Sequence, residues 1–203
     1  MQTPVMQVLQ EWRDEPLRRA ALRARLLRPY RVRQFGAFGH NSLIHKPSWL
    51  YGTRHVSIGH DVMILTGVWL AAERPAWDRP GPALRIGDRV GVRAWCTISA
   101  SESIEIEDDV ILAAGVTVVD SNHTWRAGHA NVLYNPVDTA PVRIGAGTWV
   151  AERAVILPGS DVGRGCVIGA NSVVNGVIPD HSVAVGSPAR VVSDTRHLRE
   201  PRT

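Results

Sequence analysis

Residues 144–174 read IGAGTWVAERAVILPGSDVGRGCVIGANSVV, and a large aliphatic side chain returns in this stretch at every sixth position. These aliphatic residues are Ile144, Val150, Ile156, Val162, Ile168 and Val174. A small residue follows each of the first five, four positions later: Thr148, Ala154, Ser160, Cys166 and Ser172. A six-residue period of this kind is the sequence signature of a parallel β-helix. Because strand side chains alternate, each large residue points inward on a short strand, and three such strands close one coil.

The same spacing continues upstream and predicts about five coils in all. The earlier coils are marked by three sets: Ile58, Ile64 and Leu70; Ile86, Val92 and Ile98; and Ile106, Leu112 and Val118. The register is broken after Leu70, after Ile98 (where Ile104 leaves the phase open) and after Val118. We therefore expect loop excursions at 71–84 and 121–142, and long departures from a compact repeat are often functional.

Length and composition agree with one β-helical domain. The chain has 203 residues, of which 44% are hydrophobic and 21% charged, which is ordinary for a globular protein. We expect a helical cap over 1–35, the repeat over 36–192 and a tail over 193–203. The N-terminus lacks the apolar region of a signal peptide, and Cys96 and Cys166 both fall at the small inward position. Two buried, unpaired thiols favour a cytoplasmic protein.

The N-terminal segment is basic and contains regularly placed aliphatic residues. Eight arginines lie between Arg13 and Arg33, interspersed with leucines, and Pro16 interrupts the pattern. This is typical of an amphipathic helix or helix pair that covers the open first coil, since solenoids need capped ends. We expect no nucleic-acid partner, and contact of this helix with a membrane surface is a lesser alternative to capping.

Four motifs carry a resemblance to a known family. They are RIGAGTWVA at 143–151, AVILPG at 154–159, IGANSVV at 168–174 and VGSPARVV at 185–192. Over about residues 57–192 the chain resembles the hexapeptide-repeat acyltransferases, nearest the galactoside, maltose and exopolysaccharide O-acetyltransferase group. The resemblance implies a left-handed β-helix, a homotrimer, acetyl-CoA as the acyl donor, a sugar or saccharide-like acceptor and no metal. The handedness comes from the resemblance alone, because the general rule for crossovers would predict the opposite.

The excursion after Val118 holds the best catalytic candidate. It begins with the sequence DSNHTW at 120–125, and His123 lies where the resembled enzymes carry a catalytic histidine. Acetyl transfer to a hydroxyl requires removal of the hydroxyl proton during attack, and histidine is suited to act as that general base.

A histidine base needs a partner on its other ring nitrogen. Three carboxylates are candidates: Asp120, Glu102 and Glu152. Glu152 stands where galactoside acetyltransferases carry a serine that contacts the acetyl group, so it either orients His123 or only occupies a turn. Asp120 is better placed to cap the loop.

The resemblance also implies a donor site and an acceptor site. Coenzyme A would lie along the small residues Ala151 and Ala170, flanked by Trp149, with Arg190 against its phosphates. Asn175 and Gly176 replace a Thr-Lys pair of the family, and loss of that lysine either weakens donor binding or passes its phosphate contact to Arg164. For the acceptor, Arg93 and Trp95 stand where the sugar-specific enzymes have polar residues, and Trp95 either stacks on a sugar ring or fills a contact between subunits.

Three alternatives remain open at this point. One is N-acetylation of an amino sugar, and another is a non-catalytic hexapeptide scaffold. The third is a γ-carbonic-anhydrase-like metal protein, suggested by the spacing of the pairs His40/His45 and His55/His60. It is disfavoured because no third histidine follows within two coils and because His40 and His45 precede Ile58, where the six-residue pattern begins.

Overall fold

The computed structural model describes residues 16–46, 48–73, 77–78, 80–124 and 132–197. Within these ranges there is one α-helix, α1 at Pro16–Gln34, and the remaining regular structure is mainly short strands. The strands stack as three parallel sheets, which we call A, B and C, and the chain visits them in turn. The fold is therefore the predicted all-β, left-handed parallel β-helix.

Each sheet collects one strand from successive coils. Sheet A contains β1 (Ala37–Phe38), β4 (Val56–Ile58), β7 (Leu84–Ile86), β10 (Ile104–Ile106), β15 (Val142–Ile144), β18 (Asp161–Val162) and β21 (Val177–Ile178). Sheet B contains β2 (Leu43–Ile44), β5 (Met63–Ile64), β8 (Gly91–Val92), β11 (Ile111–Leu112), β16 (Trp149–Val150), β19 (Val167–Ile168), β22 (Ser182–Gly186) and the antiparallel β23 (Ala189–Asp194). Sheet C contains β3 (Trp49–Tyr51), β6 (Trp69–Ala72), β9 (Thr97–Ala100), β12 (Thr117–Val119), β17 (Val155–Ile156) and β20 (Val173–Val174).

The stack begins one coil earlier than the sequence pattern indicated. Strands β1–β3 form coil 1, the five predicted coils follow as coils 2 to 6, and β21 and β22 form a partial coil 7. Coil 1 carries Phe38, Ile44 and Leu50, which have the six-residue spacing and pair with Ile58, Ile64 and Leu70. Coil 1 is not continuous with the six-residue pattern of the later coils, because the step from Leu50 to Ile58 is eight positions instead of six. His40 and His45 therefore lie inside the repeat, and placing them before it was wrong.

The core is made of columns of inward side chains, each column formed by residues at the same register position in successive coils. On sheet A, Ile86, Ile106 and Ile144 pair with one another from coil to coil and are fully buried. Ile106, and not Ile104, continues the column, which resolves the phase that the sequence left open. Cys96 and Cys166 are buried and free, as predicted.

Helix α1 lies against coil 1 through its C-terminal part. Arg28 Nη2 is 3.0 Å from His40 Nδ1, and the Thr53 hydroxyl donates to the Gln34 carbonyl at 2.9 Å. Leu26 is exposed, so the apolar face expected from the sequence is only partly used in packing. Residues 1–15 of the expected cap lie outside the described residues. No helix in the described part of the chain is long and apolar enough to cross a membrane.

Two excursions leave the stack at the corner where the chain passes from sheet C to sheet A. The first lies between β6 and β7. It is shorter than the expected 71–84, because residues 71 and 72 belong to β6 and residue 84 belongs to β7. The second follows β12 and forms an antiparallel pair, β13 (Ser121–His123) with β14 (Val137–Thr139), and includes a 3-10 turn at Val132–Tyr134. Trp125, part of the candidate stretch, lies outside the described residues. After coil 6, β22 and β23 form a hairpin, and a 3-10 turn follows at Thr195–His197. The end of β23 and this turn take residues 193–197 of the expected tail.

Candidate functional site

The second excursion starts from a buried carboxylate, Asp120. Its Oδ1 accepts the backbone N–H of Ser101 at 2.7 Å, and its Oδ2 accepts those of Glu102 at 2.7 Å and Ser103 at 2.8 Å. Burial raises the pKa of the Asp120 carboxyl, and the backbone donors act in the opposite direction. Both oxygens accept main-chain donors of residues 101–103 at the C–A corner of coil 3, so Asp120 ties the start of the excursion to the coil before it. These bonds do not cap its own loop, contrary to the interpretation of the sequence, and among the described residues no hydrogen bond joins its carboxylate to His123.

The antiparallel pair β13–β14 presents His123 on the outside of the stack. His123 pairs with Val137, and Asn122 pairs with Asp138. The base of the pair is fixed by the backbone, since the Ala140 N–H donates to the Asp120 carbonyl at 2.9 Å. The side chain of His123 is exposed at the end of this short ribbon.

His123 opens onto a cleft of about 330 Å³ on the outer surface of sheet C. That volume is within the range of small-molecule sites. The wall is made by residues of three successive levels of the stack: Glu73, Ser99, Ser101, Ser121, Asn122, His123 and Val137. The cleft therefore surrounds the histidine with hydrogen-bonding groups, and one carboxylate faces it from the first excursion.

Glu152 is not part of this cleft. It is exposed on the corner between β16 of sheet B and β17 of sheet C, whereas His123 emerges at the corner between sheets C and A. The width of sheet C separates the two corners, so one chain does not bring Glu152 to His123. The interpretation of Glu152 as an orienting partner therefore fails within a single chain.

The corner between sheets B and C gathers most of the other candidates. Arg93 and Trp95 lie on it in coil 3, Ala151 and Glu152 in coil 5, and Ala170 in coil 6. Ala151 is buried and its N–H donates to the Ile168 carbonyl, whereas Ala170 is exposed. Since coils stack at about 4.8 Å, these residues form one column roughly 15 Å tall.

The Trp95 ring lies on this corner in a space that Gly67 leaves open. The Trp95 backbone has φ 64°, its N–H donates to the Thr66 carbonyl at 3.1 Å, and its side chain is 63% exposed. A Cβ added at Gly67, in the coil before, would lie 2.3 Å from the indole Cε3. The glycine thus leaves the space in which the ring rests against the backbone, with its other face open to solvent.

Trp149 belongs to an apolar row on the outside of sheet B. It pairs with Ile111 on one side and Val167 on the other, and Met63 lies in the same outward row two coils before Ile111. Met63, Ile111 and Trp149 are each about 45% exposed. This row borders the B–C corner along the height of the stack.

The three remaining donor candidates are placed elsewhere. Asn175 and Gly176 follow β20 at the C–A corner, and Arg190 lies on β23, where its Nη1 donates to the Ala189 carbonyl at 2.9 Å. Arg164, the suggested substitute for a lysine, is on the A–B corner and pairs with Glu107 at 3.3 Å. Arg164, like Asn175, Gly176 and Arg190, thus lies off the B–C column, and its role as a phosphate contact stays a prediction.

The four histidines considered for a metal lie at three separate positions. The rings of His40 and His60 stack at 5.2 Å on the A–B corner, His55 stacks on Trp77 at 5.4 Å, and His45 is buried. Burial lowers the pKa of His45. Among the described residues no group of three or more histidine, cysteine or acidic side chains is arranged to hold a metal ion.

Sequence reasoning missed Glu73, Ser99 and Ser101. Ser99 alternates with the inward Ile98 and Ala100, so its outward direction followed from the strand pattern. Glu73 is the first residue after β6 and opens the first excursion. The sequence did not indicate that the two excursions leave the stack at the same corner and line one cleft.

Two family models match the repeat. Residues 141–176 match "Bacterial transferase hexapeptide (six repeats)", and residues 83–119 match "Hexapeptide repeat of succinyl-transferase". These segments correspond to coils 5 and 6 and to coils 3 and 4.

Two curated proteins are similar in sequence over about half of the chain. Rv3034c of Mycobacterium tuberculosis, whose name assigns it to the acetyltransferases, is 38% identical over 112 residues, which are 55% of this chain and 37% of that protein. WbbJ of Escherichia coli, whose name assigns it to O-acetyl transfer in lipopolysaccharide biosynthesis, is 34% identical over 118 residues, 54% of this chain and 60% of that protein. The chain thus spans about two fifths to three fifths of the length of these relatives.

Solved structures share the fold at lower identity. A mutant of AntD, an N-acyltransferase from Bacillus cereus in complex with dTDP and coenzyme A, superposes with a TM-score of 0.72 at 22% identity, covering 84% of this chain and 89% of that one. The hexapeptide-repeat acetyltransferase VCA0836 from Vibrio cholerae, complexed with acetyl coenzyme A, gives 0.58 at 20% identity, covering 88% and 87%. At these identities the superpositions show the shared fold, while the family models and the curated relatives show that the chain is similar to hexapeptide-repeat transferases and acetyltransferases over the repeat.

Proposed function

We propose that the protein is an acetyl-CoA-dependent O-acetyltransferase that acts on a hydroxyl of a sugar or saccharide-like acceptor, with His123 as general base. The observation that carries the proposal is the placement of His123 on the β13–β14 ribbon, at the mouth of a cleft lined by hydroxyl, amide and carboxylate groups. Such a cleft offers several hydrogen bonds to a polyhydroxylated ring and one group that can accept a proton.

The chemistry requires one proton to move twice. An imidazole nitrogen of His123 takes the proton of the acceptor hydroxyl while the oxygen attacks the thioester carbonyl carbon. The tetrahedral intermediate then collapses, the carbon–sulfur bond breaks, and the imidazolium returns the proton to the leaving thiolate. Imidazole is suited to both steps because it exchanges a proton near neutral pH.

The donor site that we propose is the B–C column with Trp149 beside it. Ala151 and Ala170 leave a shallow surface on which a narrow pantetheine arm can lie, and the exposed indole of Trp149 borders it. Arg190, Asn175 and Gly176 are proposed phosphate contacts at the C-terminal end of the stack.

The donor column and His123 lie on different corners of the same chain, so one protomer does not hold a complete site. We therefore propose a homotrimer in which the His123 ribbon of one chain lies beside the B–C column of its neighbour. The exposed side chains of Met63, Ile111 and Trp149 next to that column support the proposal, because association removes apolar surface of this kind from water. In such a trimer Glu152, Arg93 and Trp95 approach the neighbour's cleft, where Glu152 orients the histidine and the other two contact the acceptor.

The similar proteins agree on a coenzyme A donor, since AntD and VCA0836 were crystallised with coenzyme A and acetyl coenzyme A, but they differ in the acceptor. WbbJ is named for O-acetyl transfer, and AntD is an N-acyltransferase crystallised with dTDP. Transfer to the nitrogen of an amino sugar is thus the second candidate, and it uses the same base and the same donor site.

The test is acetyl transfer by purified wild type, His123→Ala and the control His60→Ala. Free thiol release from acetyl-CoA is measured with simple glycosides, amino sugars and nucleotide sugars as acceptors. We expect His123→Ala to lower turnover by roughly 10²- to 10⁴-fold, because a general base contributes about that factor, with coenzyme A affinity unchanged. His60 is an exposed histidine on the A–B corner, and its replacement should leave turnover within threefold of wild type. Turnover of His123→Ala within threefold of wild type would refute the assignment.

A further inference from the structure

The carboxylate of Glu73 faces the His123 cleft from the opposite wall, and the strand that carries it is fixed. Its backbone N–H donates to the Ala100 carbonyl at 2.7 Å, so Glu73 still follows the register of sheet C although the chain turns away immediately afterwards. The Ser99 hydroxyl donates to its Oε1 at 3.1 Å. A carboxylate accepts about four hydrogen bonds, so one serine leaves most of that capacity for other donors.

The excursion that begins at Glu73 is anchored by an aromatic cluster. The Trp77 indole N–H donates to the Ala72 carbonyl at 2.9 Å, and its ring stacks on His55 at 5.4 Å and lies 5.7 Å from Tyr51. A Cβ at Gly52 would lie 2.0 Å from the Ala72 oxygen, so the two levels are in close contact here. These contacts hold the chain on both sides of Glu73.

Serine hydroxyls lie between Glu73 and the His123 ribbon. The Ser101 hydroxyl donates to Ser121 Oγ at 3.1 Å, while the Ser101 backbone is held by Asp120. Ser99 lies on the Glu73 side. The distance across the cleft is therefore set by main-chain register and by a buried carboxylate.

Within one chain, Glu73 carries the one carboxylate among the described residues that line the cleft. The other lining groups are three serines, an asparagine, a valine and the histidine. The Arg93 and Glu152 side chains that the proposed trimer brings from the neighbour are of opposite charge and offset each other. A carboxylate attracts hydroxyl and ammonium donors and repels a second carboxylate, and the half-buried position of Glu73 limits the screening by solvent.

We propose that Glu73 is the specificity-determining residue of the acceptor cleft, which selects a neutral or amino-bearing sugar ring and excludes a carboxylate-bearing, uronic-acid ring. This rests on the proposed function in placing the acceptor beside His123, and it defines the charge class of that acceptor.

The test measures binding and transfer separately. Methyl glucosaminide, methyl glucoside and methyl glucuronide are titrated by NMR into wild type, Glu73→Gln and the control Glu105→Gln, whose carboxylate is exposed on sheet A beside Arg85. In wild type we expect the glucosaminide to bind at least tenfold more tightly than the glucuronide, with the glucoside between them. In Glu73→Gln this ratio should fall to about threefold or less, because the isosteric amide keeps the shape and removes the charge. The control should keep the wild-type ratio, and coenzyme A affinity should be the same in all three proteins.

The outcomes distinguish the two proposals. Equal binding of the three rings by wild type, no binding of any ring, or a preserved ratio in Glu73→Gln overturns the role of Glu73. Charge-selective binding that depends on Glu73, without thiol release from acetyl-CoA for any acceptor, supports the selectivity of the cleft and overturns the proposed transferase activity.

Discussion

The substitution Asp120→Ala tests how the cleft is held, and its cost can be worked from three hydrogen bonds. The carboxylate is fully buried and accepts the N–H groups of Ser101, Glu102 and Ser103 at 2.7, 2.7 and 2.8 Å. Removing it leaves the buried Ser101 N–H without an acceptor, at a cost of about 1–3 kcal/mol. The other two donors are part-buried and can be reached by water, so each adds about 0.5–1.5 kcal/mol. The free energy of unfolding should fall by about 2–6 kcal/mol.

This loss is measurable by urea denaturation followed by circular dichroism, and it is smaller than the stability of many domains of this size, about 5–15 kcal/mol. Asp120→Asn should lose less, because the amide oxygen still accepts N–H donors, although its NH₂ group faces at least one of them. Asp109→Asn is the control, since that carboxylate is exposed and its hydrogen bonds within the described residues go to Arg89 at the surface, so the variant should unfold like wild type. Turnover of Asp120→Ala should also fall, because Ser101 and the His123 ribbon lose their common support. A loss of less than 1 kcal/mol would refute this reasoning.

Two further predictions concern pH and assembly. The Glu107 carboxyl is desolvated, but the Ala146 N–H and Arg143 outweigh that effect and lower its pKa. A lowered pKa contributes stability above a glutamate's ordinary value, about 4.5, and the contribution is lost as pH falls through the native pKa. Glu107→Gln should therefore be less stable than wild type by about 1 kcal/mol at pH 7, with the gap in urea midpoints closing below pH 4, and a gap that is constant with pH would contradict this. Light scattering at micromolar concentration should give three times the mass of the 22.2 kDa chain, and a monomer would contradict the proposed trimer.

The fold could be predicted from the sequence because its rule is local. A large residue at every sixth position and a small one between them decide which side chains of each short strand point inward, and this holds coil by coil without knowledge of the neighbours. Ile144, Val150 and Ile156 occupy their predicted columns, and both cysteines are buried as expected. The largest break in the period also marked the excursion that carries His123.

What the tertiary structure decided is which residues meet, because that depends on the summed length of every coil and every excursion. Coil 1 escaped detection because its connection to coil 2 is longer than six residues. Glu152 and His123, which one interpretation of the sequence paired, lie on different corners, since the corner that a residue occupies is set by its phase within the coil. Glu73 and His123 are fifty residues apart in sequence and line one cleft, because both excursions leave the stack at the C–A corner and coils stack at about 4.8 Å. The period fixes the interior of each coil, whereas the site is made where the period is interrupted, and only the stacking of the coils brings those interruptions together.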